Sequence, residues 1–562
     1  MNRWIGPALA APVTLWLLLS FAAPMFVVLV LSLHEYPDPF GPLFIAPSIA
    51  QFRDIASDGF YFGVVSETIL LGLGVTVITA FLGYPLAHWL ARMPVKYRAA
   101  AFAVILIPLL TNVVVRSLGI ILLLAPEGLI NSVTGLIGIP PARYMLFTHG
   151  AVAVALAQVF LPFMVLALYD NLQNTSPRVH EAAQSLGASP AVRFLTVDLP
   201  LSLPGLRSGA VIVFLMATTA YVSASLLGGK KVWTTGMLVL QEAIKNLNAP
   251  LAAALAIIMT VTGLAFAALC ASLLNRLMPW LKGKPSNPWS IPRWIVPVIN
   301  IFGPIVSKLL LVASLLLLLL PLVLVCIQSF NDVPQATASG FRGFTLKWYE
   351  AVFFAGTYAD AFWVSVQLAV TSMLVALSLS LPAAFALARY PFKGRSALLT
   401  FWLLPMSLPH VAIGVGMLRL LQIYLIVPPF LGLVAIHVIV ILPFAITLLT
   451  TSVMGLERAQ EEAAASLGAS PARRFFLIIM PGLAPGLFAA GIVGFLLSFG
   501  EVTVTSFLTT ARLTTLPVRI YAESTFSLEP TAHAISAVLI VFTVVALVLV
   551  GRVVRLDRLY AR

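Results

Sequence analysis

The sequence predicts an all-α polytopic membrane protein with about twelve transmembrane helices, arranged as two parallel six-helix repeats. Three observations predict this fold class. Hydrophobic residues make up 60% of the 562 residues and charged residues only 9%, and the mean hydropathy is +1.03. The apolar residues fall into runs long enough to cross a bilayer. The second half of the chain repeats the first.

The composition excludes several classes of protein. An ordinary soluble protein carries roughly 25% charged residues, so a chain with 9% cannot cover a water-exposed surface of this size. A soluble enzyme, a nucleic-acid-binding domain and a disordered regulator are excluded on this ground, and we expect no nucleic-acid partner. Cys270 and Cys326 both lie in apolar runs, so we expect neither a disulfide framework nor a metal site.

The predicted spans follow from a length requirement. The hydrocarbon core is about 30 Å thick and a helix rises about 1.5 Å per residue, so a span needs about 20 mostly apolar residues. The first run is longer than a signal-peptide core, which predicts a retained anchor. The twelve predicted spans are 11–33, 62–90, 99–124, 148–172, 206–228, 250–275, 307–329, 361–388, 397–420, 431–453, 487–510 and 531–553.

Basic residues predict the orientation, because cytoplasmic loops carry an excess of Lys and Arg. Basic clusters follow the second span at 92–98, the eighth span at 389–395 and the last span at 552–562. We therefore expect both termini to be cytoplasmic, although the loop at 229–249 holds three lysines on the predicted outer side. The net charge of +13 is thus an orientation signal. The predicted domains are a first half at 1–275, a proline-rich cytoplasmic linker at 276–306 and a second half at 307–562.

An internal repeat relates the two halves. Residues 181–194, EAAQSLGASPAVRF, recur 281 residues later at 462–475 as EAAASLGASPARRF. Upstream the offset is 297, since 91–94 matches 388–391, so the first half has about 16 extra residues near 125–147. Each half has an even number of spans, which makes the repeats parallel and related by an axis along the membrane normal. This symmetry predicts a pore between the two halves.

The repeated segment predicts a helix–glycine–helix loop after the fourth span of each half, at 173–205 and 454–486. Ser176-Pro177 is typical of a helix start, and Gly187 is typical of the residue after a helix end. A second short helix is predicted from Ser189-Pro190 to just before Pro200, and from Ser470-Pro471 to just before Pro481. The two short helices present small alanine side chains and one carboxylate. Small side chains let a partner protein approach the backbone closely, so we interpret the loop as a docking surface. The alternative is an ordinary hairpin that only connects two spans.

The pattern of these loops resembles the signature loop of ABC-importer permease subunits. Residues 100–275 resemble the first permease of spermidine/putrescine-type importers and residues 325–555 the second, with both permease halves fused in one chain. The resemblance implies a type I ABC importer permease-like fold in a bacterial inner membrane. The ATPase-coupling residues carried over by the motif are Glu181, Ala182, Ala183, Gly187, Glu462, Ala463, Ala464 and Gly468.

The resemblance also implies partners. Two ABC ATPase subunits would dock on the cytoplasmic face, and a periplasmic or extracellular solute-binding protein would deliver the solute. The sequence contains no phosphate-binding loop of the form GxxxxGK[ST]. We therefore expect no cofactor in this chain, with ATP and Mg²⁺ bound by the partner ATPase, and no enzymatic activity of its own.

Ionisable residues within predicted spans are candidates for the translocation path, since such groups are costly in a bilayer and usually face a cavity or a partner. For Arg116 and Glu501 we favour a role in translocation. For Glu67 and Arg419 we favour a structural ion pair or a side chain that reaches the interface. His410 and His437 are interpreted as interhelical hydrogen-bonding groups rather than metal ligands. Polar neighbours that could line the same passage are Tyr221, Ser223, Ser225, Thr503 and Ser506.

The predicted function is the transmembrane permease of an ATP-driven importer for a small solute. Polyamine is the first choice by resemblance, and aminoethylphosphonate, ferric ion, thiamine or another small solute stays open. An ion- or proton-coupled secondary transporter is the alternative, but it predicts a cluster of carboxylates at the midplane that the sequence lacks. A channel or a structural scaffold would leave the doubled loop unexplained.

Overall fold

The structure of the chain is a computed structural model. It describes residues 4–35, 46–138, 140, 145–173, 175, 177–277, 295–333, 340–354, 356, 358–424, 427–526 and 529–553. Most of the predicted linker, the tail beyond residue 553 and the predicted cap Ser176 lie outside these residues.

The first half is built from helices throughout its described residues. The long helices cross the molecule, and short ones at Ala50–Ser57, Leu129–Leu136 and Thr235–Leu240 connect them. The principal helices are α1 Ile5–Leu31, α2 Gly59–Ala91, α3 Val95–Leu110, α4 Val113–Leu124, α5 His149–Gln173, α6 Pro177–Ser185, α7 Pro190–Thr219, α8 Val222–Gly228 and α9 Ala249–Leu277.

The second half repeats this order. Its first helix begins at Ile295, well before the predicted start at residue 307, so part of the predicted linker is helical. The principal helices are α10 Ile295–Gln328, α11 Ala359–Arg389, α12 Arg395–Ser407, α13 His410–Met417, α14 Pro429–Met454, α15 Arg458–Ser466, α16 Pro471–Phe499, α17 Thr505–Leu508, α18 Leu516–Phe526 and α19 Thr531–Val553.

The number of spans agrees with the sequence prediction. Eleven helical stretches among the described residues are long and apolar enough to cross a membrane. The number is up to twelve if Arg395–Met406 and His410–Leu421, bent by 90°, count as one span. The predicted all-α polytopic fold is confirmed.

The predicted third and ninth spans are each broken in the middle. In the first half α3 ends at Leu110, and the Asn112 side chain accepts a hydrogen bond of 2.6 Å from the Val114 N–H to begin α4. In the second half Pro409 starts α13 and holds Leu408 in an extended conformation, as a residue before proline prefers. Hydropathy alone could not predict these breaks, because the apolar runs continue across them.

The predicted fifth and eleventh spans also end earlier than expected. The helix α7 ends at Thr219, and α8 begins at Val222 after two residues outside both helices, the extended Ala220 and the N-cap Tyr221. In the second half α16 ends at Phe499, and α17 begins at Thr505. Breaks therefore occur at equivalent places in both repeats.

The prediction that a separate short helix ends before Pro200 and Pro481 was wrong. The helix from Pro190 continues through Pro200 to Thr219, and the helix from Pro471 continues through Pro481 to Phe499. A π-helical turn at Phe194–Asp198, and another at Phe475–Ile479, precedes each proline. A proline ring clashes with the carbonyl four residues earlier in an α-helix. The wider π turn moves that carbonyl away from the proline ring, so the helix accommodates the proline and continues.

The first span of each half packs against the other half. A Cβ atom added to Gly119 of α4 would lie 2.3 Å from the Pro321 carbonyl oxygen of α10. A Cβ atom added to Gly416 of α13 would lie 2.4 Å from the Pro24 carbonyl oxygen of α1. The two contacts are related by the offset of 297 residues. The halves therefore exchange their first spans reciprocally.

Side chains along these two spans support the exchange. The Thr14 hydroxyl of α1 accepts a hydrogen bond of 3.1 Å from the Trp402 indole of α12. The Ser314 hydroxyl of α10 donates a hydrogen bond of 2.7 Å to the Leu82 carbonyl of α2. Ala10 and Val13 of α1 belong to an apolar core cluster whose buried members otherwise come mostly from the second half.

Both repeated loops lie at one face of the molecule, which we call the loop face. Arg92, which follows α2, pairs with Asp198 in the first loop, and Asn300 of α10 contacts the same loop. The helix α10 crosses away from this face and α11 crosses back, ending at Arg389, which pairs with Glu461 in the second loop.

Candidate functional site

A cavity of about 450 Å³ lies between the two halves, where the four helix breaks meet. A broken helix leaves backbone N–H and C=O groups without intrahelical partners. At membrane depth such backbone is tolerated where it is buried in protein or lines a water-filled cavity. The polar or ionisable side chains around the cavity belong to Thr111, Asn112, Arg116, Thr219, Tyr221, Ser223, His410, Glu501 and Thr503.

All four residues predicted for the translocation path line this cavity. Arg116 and Tyr221 come from the first half, and Glu501 and Thr503 from the second. Their role in transport remains a prediction, but the structure brings them to one place.

Arg116 is buried at the wall of the cavity, one turn into α4. Its side chain is 6% exposed, and its Nη1 donates a hydrogen bond of 3.3 Å to the Val159 carbonyl of α5. The Nε atom has no hydrogen-bond partner, and among the described residues no carboxylate lies within 4.0 Å of the guanidinium. An unpaired buried charge is costly. Arg116 is therefore a candidate contact for a polar group that enters the cavity.

Glu501 faces the same cavity from the break after α16. Its Oε1 accepts a hydrogen bond of 3.0 Å from the Val504 N–H, and its carbonyl accepts one of 3.2 Å from the Thr505 hydroxyl. Both bonds shape the turn into α17. The side chain is half-buried, so part of the carboxylate is left for contact with the cavity.

A layer of tyrosine–serine pairs joins the halves on the side of the cavity away from the loop face. The Tyr221 and Ser506 hydroxyls lie 2.7 Å apart, and the Ser225 and Tyr521 hydroxyls lie 2.8 Å apart. Ser225 and Ser506 are equivalent in the two repeats, and each bonds to a tyrosine of the other half. The two tyrosine rings also meet edge to face, with centroids 5.7 Å apart. We call these four residues the tyrosine–serine layer.

The surroundings of three other candidate residues, Glu67, Arg419 and His437, indicate structural roles. Glu67 bonds His149 at 3.2 Å in an exposed pair, and Arg419 is buried. His437 is buried between Ser498 and Thr505, with hydrogen bonds of 2.7 and 2.9 Å, so its interpretation as an interhelical bonding group is supported. Among the described residues no group of three or more His, Cys, Asp or Glu side chains could hold a metal ion.

The first loop has the predicted helix–glycine–helix form. The helix α6 contains Glu181, Ala182 and Ala183, and it ends at Ser185. Gly187 follows with φ +76°, in the left-handed region where glycine is favoured. The Ala188 N–H donates to the Ala183 carbonyl at 3.0 Å, which closes a Schellman-type helix end.

The second loop has the same form. The helix α15 contains Glu462, Ala463 and Ala464 and ends at Ser466, and Gly468 has φ +81°. The Ala469 N–H donates to the Ala464 carbonyl at 2.9 Å. Glu462 and its equivalent in the first loop are both exposed, as a docking surface requires.

An arginine after the second or eighth span holds each loop. Arg92 lies 3.5 Å from the buried carboxylate of Asp198, which also lies 3.4 Å from His180. The equivalent Arg389 instead pairs with Glu461 at 2.8 Å. The carboxylate that pairs with the arginine therefore comes from α7 in the first loop and from α15 in the second. His180 is the residue of the first loop equivalent to Glu461.

Several contacts of the site were missed by the sequence argument. The Asn112 side chain donates to the Gly500 carbonyl at 3.0 Å and joins two breaks across the halves. Tyr521 lies between two predicted spans and was not a candidate. The repeat offset shows that Gly119 is equivalent to Gly416 and Pro24 to Pro321, but only the structure shows that each glycine contacts a proline of the other half.

Two parallel helical halves around a shared cavity, with a repeated helix–glycine–helix loop at one face, are the architecture of a membrane permease. The pattern of the family described as "Binding-protein-dependent transport system inner membrane component" matches residues 83–282 and again 378–556. The chain belongs to this family, with both permease halves in one chain. It is the permease of a binding-protein-dependent ABC importer and a multi-pass protein of the inner membrane.

Individual relatives resemble one half each. The chain is 32% identical to the spermidine/putrescine transport system permease protein PotB of Escherichia coli (strain K12) over 206 residues, 36% of this chain and 74% of that protein. It is 28% identical to PotC of the same strain over 231 residues, 41% of this chain and 87% of that protein. A solved structure, a bacterial alginate ABC transporter in complex with alginate pentasaccharide-bound periplasmic protein, matches at 15% identity. Its TM-score is 0.42, covering 49% of this chain and 96% of that one.

Proposed function

We propose that the cavity between the halves is the path of a small solute, and that the two loops at the loop face each dock one ATPase subunit. The meeting of Arg116, Tyr221, Glu501 and Thr503 at one cavity is the observation that carries the first part. The loop face is then cytoplasmic, and a solute-binding protein delivers the solute at the opposite face.

The helices that follow the loops connect docking to the cavity. The helix Pro190–Thr219 runs without interruption from the first loop to the break beside Tyr221, and Pro471–Phe499 runs from the second loop to the break beside Glu501. Each helix is about 45 Å long at 1.5 Å per residue. When ATP closes the ATPase pair, movement of the loops is carried along these helices to the cavity. The chain performs no covalent step, and ATP with Mg²⁺ is bound by the partner subunits.

A polyamine is the proposed solute. The relatives PotB and PotC are named as spermidine/putrescine permeases, and Glu501 offers a carboxylate for an ammonium group. The solute-binding protein that works with this permease provides the direct test. A screen of its binding to polyamines, aminoethylphosphonate, ferric ion and thiamine identifies the solute.

Uptake in proteoliposomes tests both the energy source and the path. We expect the purified chain, with its ATPase and solute-binding protein, to accumulate labelled polyamine when ATP is supplied. The variant Glu501→Gln keeps an acceptor for the Val504 N–H but removes the charge. We expect it to reduce uptake about tenfold, as the loss of one charge-assisted hydrogen bond predicts.

Glu67→Gln is the matched control, because Glu67 also lies in a span but pairs with His149 at an exposed position. Its uptake should stay near that of the wild type. Equal uptake by the two variants would contradict the assignment of Glu501 to the solute path. Uptake driven by an ion gradient without the ATPase would favour the secondary transporter instead.

The tyrosine–serine layer is expected to close the outer end of the cavity. Tyr221→Phe combined with Tyr521→Phe removes both hydroxyl bonds and keeps the ring contact. Each bond contributes about 0.5–1.5 kcal/mol, so ATP hydrolysis without the solute-binding protein should rise about tenfold. The measurement is the ATPase rate of the complex in nanodiscs. Tyr349→Phe removes a comparable bond to Ser329 within the second half and should have no effect. An unchanged rate in the double variant would contradict this role.

A further inference from the structure

The first loop is held by a side chain of the other half. Asn300, near the start of α10, accepts a hydrogen bond of 2.9 Å from the Ala191 N–H through its Oδ1. Its Nδ2 donates one of 3.2 Å to the Ser189 hydroxyl. Ser189 also accepts from the Val192 N–H at 3.4 Å. Asn300 and Ser189 together therefore satisfy the N–H groups that begin α7.

The second loop lacks this contact in the part of the chain that the structure describes. Ser470, the equivalent of Ser189, accepts from the Arg473 N–H at 3.4 Å, but no side chain of the first half bonds to it there. Ala191 is 2% exposed, whereas the equivalent Ala472 is exposed. Among the described residues this kind of contact is therefore seen at the first loop alone; residue 3, the position equivalent to Asn300, lies outside them.

The same helix reaches the wall of the cavity at its other end. Pro321 of α10 packs on Gly119, one turn after Arg116 on α4. Between these ends Ser314 bonds to α2. Asn300 and Pro321 lie about 30 Å apart along the helix, at 1.5 Å per residue. One continuous helix of the second half therefore contacts both the first loop and the helix that holds Arg116.

We propose that Asn300 is a positioning residue for transport, through which α10 links the first ATPase-docking loop to the α4 wall of the cavity. This rests on the proposed function of the loops. Movement of the first loop reaches the cavity along α7 within its own half and along α10 of the other half. Movement of the second loop reaches the cavity along the helix that follows it in its own half, α16.

The variant Asn300→Ala tests this link. We expect solute uptake per ATP hydrolysed in proteoliposomes to fall about threefold to tenfold, because two hydrogen bonds to the loop are lost. The hydrolysis rate itself should stay within about twofold of the wild type. A merely structural role would instead reduce the amount of assembled complex and lower uptake and hydrolysis together. Asn300→Asp keeps an acceptor for the Ala191 N–H and should restore most of the ratio.

A matched pair of serine variants separates the contact from ordinary helix capping. Ser189→Ala and Ser470→Ala each remove one N-cap bond, but only the first also removes the bond to Asn300. We expect the larger fall in uptake per ATP for Ser189→Ala. Equal falls, or an unchanged ratio in Asn300→Ala, would overturn the inference. If the wild-type chain itself shows no ATP-dependent uptake, the proposed function fails instead.

Discussion

Alanine at position 119 or 416 is expected to destabilise the assembled permease, although alanine normally stabilises a helix relative to glycine by about 1 kcal/mol. The added methyl groups would lie 2.3 Å from the Pro321 carbonyl oxygen and 2.4 Å from the Pro24 carbonyl oxygen. Both neighbours are backbone, so the helices themselves must separate. Overpacking of this kind costs roughly 1–3 kcal/mol, and occasionally more.

The melting temperature of the detergent-solubilised chain, followed by size-exclusion fluorescence, measures this effect. Gly74→Ala is the control, because Gly74 lies within a span and its added methyl group would meet no atom within 4 Å. We expect a lower melting temperature for Gly119→Ala and Gly416→Ala, and an equal or higher one for Gly74→Ala. Equal melting temperatures in all three would contradict the close exchange of the first spans.

Valine at position 187 or 468 is expected to uncouple ATP hydrolysis from uptake. These glycines have φ +76° and +81°, and an added Cβ would meet no atom within 4 Å. The obstacle is therefore the backbone conformation and not crowding. A left-handed conformation costs an L-residue about 1–2 kcal/mol, and a β-branched one more. The loop relieves this strain by changing the angle between its two helices.

Asparagine tolerates the left-handed region and provides the matched control. We expect Gly187→Asn and Gly468→Asn to keep most of the uptake, while the valine variants lose about tenfold or more of it, the order expected if the strain is transmitted to docking. Binding of the ATPase subunits and their hydrolysis rate, measured beside uptake, locate the defect. Wild-type coupling in both valine variants would remove the docking role of the loops.

The sequence predicted the spans and the loops because each rests on a local signal. A run of about 20 apolar residues is required by the thickness of the bilayer, and a glycine after a helix end is required by the left-handed turn. Gly187 and Gly468 were therefore placed correctly. The prediction that the helix ends before Pro200 was wrong, because the preceding π turn accommodates the proline ring and the helix continues.

The cavity could not be predicted from hydropathy, because it is formed by helix breaks and by contacts between the two halves. Arg116 and Glu501 stood out because a charge within a span is costly. The helix breaks beside them were invisible, because Thr111 and Gly500 lie inside apolar runs. The pairing of Ser225 with Tyr521 is a contact between halves that no single span encodes.

The exchange of first spans has a consequence for how a working pore is obtained. The first span of each half packs against helices of the other half, so neither half is fully packed by itself. Between separate chains this exchange is bimolecular, and two identical halves could compete with the correct pair. Within one chain the halves meet at an effective concentration on the order of millimolar. Every molecule then has one Arg116 and one Glu501 at its cavity, so the fusion fixes the composition of an asymmetric cavity.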